Sequence, residues 1–152
     1  MPARALCLLG FTSFLLFGAS AVAQEGHPAK GTWVGYSGPT ATVQSRIVVV
    51  IDHDGKTMTG VLNPGPNAVP LRVARLDITP GTPSPKRGVP PVLPIFEVYF
   101  EVDAKDAGGN PVAIVAEGTM HNVGLPNRWV TGTWTQTSGG KTVTSEFTIT
   151  RQ

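Results

Sequence analysis

From Phe96 to Val102 apolar and polar residues alternate without a break, with Phe96, Val98, Phe100 and Val102 set against Glu97, Tyr99 and Glu101. A period of two belongs to a strand with one face in a core and the other in water. About eight runs of this character follow one another along the chain. Each is bounded by Gly, Pro, Asn or Asp, and no stretch carries a convincing period of 3.6. The 18 glycines and 14 prolines in 152 residues punctuate strands and weigh against a helical bundle. After residue 23 there are seventeen valines against five leucines, the balance a pleated sheet prefers.

The runs expected as strands are 31–37, 43–53, 56–63, 69–78, 96–102, 111–121, 128–137 and 141–151. The second carries Ile47, Val49 and Ile51 on one face and Val48 and Val50 on the other, so its middle is expected to be covered on both sides. Asp54-Gly55 reads as a tight hairpin turn, because glycine supplies the positive φ such turns need. In the fourth run Val69, Leu71 and Val73 share one parity, whereas Leu76 and Ile78 take the other. A bulge near Ala74 and Arg75 would reconcile them. Residues 106–110 make a Gly-rich turn, and Ser138-Gly139-Gly140 closes the last hairpin.

The start of the chain reads as an export signal. Arg4 supplies a positive charge, residues 5–17 form an apolar run, and Ala21-Val22-Ala23 fits a small-residue cleavage site, so 1–23 is set apart as a signal peptide and 24–152 as a single β-barrel domain. The apolar run is shorter than the roughly 20 residues a spanning helix needs, so no membrane span is expected in the mature chain. The single cysteine, Cys7, lies in this run, and a thiol-free mature chain fits an exported, periplasmic or extracellular protein without disulfides. Without Arg4 the formal charge of +2 falls by one, a balance that steers the protein neither to nucleic acid nor to an anionic membrane. The one long connection, 79–94, holds six prolines and is expected as a stiff extended loop.

Residues that carry chemistry are sparse. His27, His53 and His121 lack the spacing of metal ligands, and Asp52-His53-Asp54 alternates in direction along an extended chain. Glu97 and Glu101 would lie roughly 13 Å apart at 3.3 Å per residue, beyond the usual glycosidase pair, and both are expected in solvent. No nucleophile elbow or phosphate-cradling loop is present. A non-catalytic protein without cofactor or metal is expected. An enzyme would need Asp52, His53, Glu117 and His121 to converge.

The tryptophans say more. Gly31-Thr32-Trp33 opens the domain, Gly132-Thr133-Trp134 recurs near its end, and Arg151 shares the parity of Phe147 and Ile149 on the last strand. Pairing of the first and last strands would bring Trp33 and Arg151 together and remove the open sheet edges. A Gly-x-Trp on the first strand with an Arg on the last resembles the signature of lipocalins and related calycin-type barrels. Trp33-Val34-Gly35, Gly132-Thr133-Trp134-Thr135-Gln136, Gly139-Gly140 and Phe147-Thr148-Ile149-Thr150-Arg151 are similar, in order, to lipocalin-like modules of secreted bacterial proteins, some fused to hydrolases. The likeness spans roughly residues 30–151. It departs in the long Pro-rich loop and at Asn63-Pro64-Gly65-Pro66. Avidin-type barrels also open with Gly-x-Trp, but their biotin-contacting polar set is not seen here.

The resemblance implies an all-β, closed or nearly closed antiparallel up-and-down barrel of about eight strands. Such an interior is either filled by side chains or just roomy enough for one small ligand. In the first case the protein acts as an interaction or structural module, through its outer face or the Pro-rich loop. In the second, Trp33, Phe96, Phe100, Trp134, Phe147 and Arg151 are the candidates for lining a site for a small apolar or amphipathic ligand.

Overall fold

The computed structural model describes residues 26–40 and 42–152. The signal peptide expected at 1–23, with Cys7, lies outside the described residues. Eight strands follow in order: β1 (Gly31–Thr40), β2 (Val43–His53), β3 (Met58–Leu62), β4 (Val69–Thr79), β5 (Ile95–Lys105), β6 (Pro111–His121), β7 (Trp129–Ser138) and β8 (Lys141–Arg151). Each pairs antiparallel with the next, and β8 returns to pair with β1, so the sheet closes into an up-and-down barrel. The closing register sets Trp33 opposite Arg151, Gly35 opposite Ile149 and Ser37 opposite Phe147.

Alternation decides which side chains enter the barrel. Trp33, Val49, Phe100, Val102, Ala116, Val130 and Ile149 are almost wholly buried, while their strand neighbours face out. At the centre Phe100, Trp134 and Phe147 form a triangle with ring centroids 6.2 Å apart and edge-to-face tilts. Each such pair adds about 0.5–1.5 kcal/mol beyond burial. Glycine makes room for them. Gly118 and Gly132 are cross-strand partners, and a Cβ on Gly118 would lie 3.1 Å from the tip of Phe147. The β7–β8 connection is the two-residue turn Gly139-Gly140, with φ of 55° and 75°, which matches the twist of the paired strands.

Several expectations need correction. The bulge in β4 lies at Arg72, between the pairs Leu71–Val102 and Val73–Glu101, so Ala74 and Leu76 point inward and Val73 outward. Arg72 uses that extra position to bridge Glu101 and Asp103 on β5. Glu101 is therefore drawn into an ion pair, with its side chain only 19% exposed, and accepts a hydrogen bond from Tyr99. The Arg75 guanidinium covers the Tyr99 ring at 3.8 Å, and the neighbouring Glu101 carboxylate raises the Tyr99 pKa. The β2–β3 connection is a four-residue loop, residues 54–57, in which the Asp54 carboxylate accepts from the backbone N–H groups of Lys56 and Thr57. On β2 only the Ile47, Val49 and Ile51 face is buried; Val48 and Val50 stay half-exposed, because no second layer covers the outside of a single barrel.

The two ends of the barrel differ. At one, residues 26–30 turn across the opening and bury Ala29 completely. The Ala29 carbonyl accepts from Trp33 Nε1 at 2.8 Å, and the Pro28 carbonyl accepts from the buried Arg128 guanidinium at 3.0 Å. Arg151 packs beside them, and a Cβ on Gly31 would sit 2.9 Å from its Nε. The other end, formed by the β1–β2, β3–β4, β5–β6 and β7–β8 connections, has no such plug among the described residues.

Truncating the central triangle tests this account of the core. Phe100→Ala is expected to lower unfolding stability by about 3–5 kcal/mol in urea denaturation, as for large-to-small changes in close-packed interiors. Val143→Ala, at an exposed position, is expected to stay within about 0.5 kcal/mol. Comparable losses at both positions would contradict a core centred on Phe100.

Candidate functional site

At the unplugged end the inward face of the sheet runs out of large side chains before the strands end. A cup of about 560 Å³ remains. Trp134 forms its floor, resting on Phe100 and Phe147. Ile47, Leu62, Val69, Ala104 and Ile114 make an apolar lower wall. Polar residues line it nearer the rim, among them Ser45, which shares the inward parity of Ile47, and Asn63, Asn67 and Gln136. Ser37 and Ser145 face one another across the β1–β8 closure with Oγ atoms 3.0 Å apart, and Ser145 Oγ also donates to the Trp134 carbonyl at 3.5 Å. Asn63 takes a left-handed φ of 47° and accepts from the Val48 N–H through its side-chain oxygen. That bond holds the β3–β4 loop at the cup's edge.

The six residues singled out from the sequence fall into three places. Trp134 lines the cup. Phe100 and Phe147 lie beneath it, 1% and 2% exposed, as packed support. Trp33 and Arg151 meet as register partners near the plugged end, and Phe96 is half-buried toward that same end. Sequence parity alone did not single out Ser37, Ser145 or Gln136. Their signal is a polar side chain at an inward position of an otherwise apolar alternation.

A larger depression, about 820 Å³, runs along the outside of β1, β7 and β8. Its surface is made by outward groups such as Tyr36, Thr144, Glu146 and Thr148, and it lies outside the barrel. Burial of an apolar ligand is better served by the cup, where an indole and aliphatic side chains already stand together.

The three histidines lie in two separate places. Among the described residues no group of three His, Cys, Asp or Glu is arranged to hold a metal ion. Asp52 and His53 sit on β2, and Glu117 and His121 on β6, across the barrel from it. His53 stacks on His27 of the plug with centroids 3.9 Å apart, and His121 stacks on Trp129 while bonding Thr131 Oγ1 at 3.0 Å. Lys30 reaches Asp52 at 2.7 Å, a bond that, with the His53 N–H, holds the Asp52 carboxyl below its ordinary pKa. Partial burial, helped by the neighbouring His53, lowers the His27 pKa below its ordinary 6.5.

Fold and site together define the class: an eight-stranded antiparallel barrel with one plugged end and one cupped end. Comparison of the chain with models of protein families, with curated proteins and with solved structures finds no match to any of them.

Because His27 binds its proton less readily in the folded protein than in the unfolded chain, its contribution to stability is complete above pH 6.5 and falls as pH drops below that value. Urea midpoints measured from pH 8 down to pH 5 are expected to decline more steeply for the native sequence than for His27→Gln. Parallel profiles would remove His27 from the account of the plug.

Proposed function

We propose that this is an exported, non-catalytic, lipocalin-like barrel that holds one small amphipathic molecule in the open cup. The observation that carries this reading is the floor: the Trp134 indole faces a space walled by aliphatic side chains and rimmed by polar ones. An apolar moiety on Trp134, Ile114 and Leu62 would leave water, which contributes roughly 25 cal/mol per Å² of apolar surface removed. A polar group on the same molecule would stay among Gln136, Asn67 and Ser45 and keep its hydrogen bonds. A volume of about 560 Å³ falls within the range of small-molecule sites.

The rest of the barrel supports the cup. Below Trp134 the interior is filled, so a ligand would enter only from the mouth and stop at the indole. The strands that present the wall are held by paired neighbours, and such a preformed site needs little ordering on binding. The Gly-x-Trp and terminal Arg of the lipocalin-like signature serve the opposite end, where Trp33 and Arg151 secure the plug. In this reading the signature residues maintain the barrel and Trp134 receives the ligand.

Titration with an amphipathic fluorescent dye tests the proposal. Dye emission is expected to rise on binding the native protein, and Ala104→Trp, which fills the cup from a half-buried wall position, is expected to weaken binding about tenfold or more without lowering the urea midpoint. Extraction of the purified protein followed by mass spectrometry is expected to release a small amphipathic compound. Dye binding unchanged by the filled cup, or no dye binding and no extractable compound, would defeat the reading.

A further inference from the structure

The β4–β5 hairpin continues past the barrel wall. The last β5–β6 pair toward this end is Glu97–Thr119, and the β3–β4 pairs are only Val61–Pro70 and Leu62–Val69. Beyond them β4 and β5 run on as a two-stranded arm through Thr79–Ile95 to a bridge between Thr82 and Val92, closed by reciprocal N–H to carbonyl bonds of 2.9 and 3.0 Å. Ser84 Oγ bonds to the carbonyls of Lys86 and Val89 and ties the tip together. At about 3.3 Å per residue, the stretch from Asp77 to Ser84 reaches at most roughly 23 Å.

The arm carries an exposed apolar surface. Ile78, Val89, Val92, Leu93 and Ile95 are 53%, 46%, 63%, 73% and 48% exposed, five of the nine large apolar side chains that are exposed among the described residues. Isolated exposed apolar residues are ordinary, but their concentration on one projection marks a contact surface. No acidic residue occurs from 78 to 96, and the charged side chains there are Lys86 and Arg87 at the tip. Six prolines in 79–94 carry no N–H, so fewer backbone donors need water when the arm enters an apolar medium.

We propose that the β4–β5 arm is a wedge that docks on anionic lipid bilayers, with Val92, Leu93 and Val89 entering the interface and Lys86 and Arg87 meeting lipid phosphates. Interfacial segments enter the headgroup and acyl boundary by about 5–10 Å, within the arm's reach. Basic residues beside the apolar ones are attracted to an anionic surface over about a Debye length. The pairing of exposed aliphatic side chains with unopposed cations favours a bilayer as the partner. The near-neutral charge of the whole chain conceals this local asymmetry. The wedge lies at the plugged end, so its docking leaves the cup at the opposite end open and does not depend on what the cup binds.

Co-sedimentation of the chain lacking residues 1–23, whose barrel is complete from Gly31 to Arg151, with phosphatidylcholine vesicles containing phosphatidylglycerol tests the proposal. The protein is expected to partition onto mixed vesicles and about tenfold less onto phosphatidylcholine alone, with high salt reducing binding. Lys86→Glu combined with Arg87→Glu, and separately Val92→Ser combined with Leu93→Ser, are each expected to lower partitioning about tenfold or more with circular dichroism and urea midpoint unchanged. Ala104→Trp is expected to bind vesicles like the native sequence, which separates this result from that of the cup. Absence of vesicle binding, or equal binding by the arm variants, overturns the proposal. So does capture of an envelope protein through the arm by a chain that ignores vesicles, because the surface then belongs to a protein partner.

Discussion

The pairing of β1 with β8 is the constraint on which the rest of the barrel depends. Six register partners, from Trp33–Arg151 to Gly38–Glu146, join the ends of the chain into one sheet. Without them β1 and β8 would each expose a row of unpaired N–H and carbonyl groups, and the interior would be open to water along one side. Closure turns a period of two along each strand into an inside and an outside. It also brings Gly132, Phe147 and Ser37 into one row across β7, β8 and β1, and that row contains part of the aromatic triangle. The seam between β3 and β4 is shorter, and there the chain uses Pro70, which needs no N–H partner, and the bulge at Arg72. Charged Arg72, Arg75 and Asp77 then cover the stretch of β4 that leaves β3, as suits an exposed edge.

Closure leaves the two ends to be solved separately, and they are solved by different means. At the plugged end backbone carbonyls of residues 28 and 29 receive an indole N–H and a guanidinium, so donors buried by the fold are matched to acceptors on the plug. At the cupped end the strands carry small or polar inward residues, Ser37, Ala104, Gln136 and Ser145, in place of another aromatic layer. Space and polar groups occur there together. The proposed binding role and the proposed membrane wedge thus fall at opposite ends of one closed barrel, with the packed centre between them.

Much of the architecture could be read from residues. The alternation in 96–102 and the turns at Asp106-Ala107-Gly108-Gly109-Asn110 and Gly139-Gly140 placed β5, β6 and β8 closely, because side-chain period and positive-φ turns are local properties. The bulge was harder to place. Two parities in 69–78 required a slip, but only the partner strand determines which residue is extra, and Glu101 and Asp103 draw Arg72 into that position. The candidate site was legible in one residue. Trp134 was recognisable as an inward aromatic, yet so were Trp33, Phe100 and Phe147, and parity assigns all four to the same face without saying how far along the barrel each lies.

By itself, then, the amino-acid sequence determined the strand content and the inward set of side chains outside β4, and its resemblance to lipocalin-like barrels carried the expectation that the first and last strands pair near Arg151. The first two follow from alternation, turn chemistry and the need to bury one face. The tertiary structure alone decided that Phe100 and Phe147 are support rather than surface, that the polar Ser37, Ser145 and Gln136 stand around Trp134, and that residues 78–95 leave the wall as an arm. The reason is stagger: in a closed, tilted sheet the height of a residue depends on the register of every strand between it and the closure. No local pattern carries that sum.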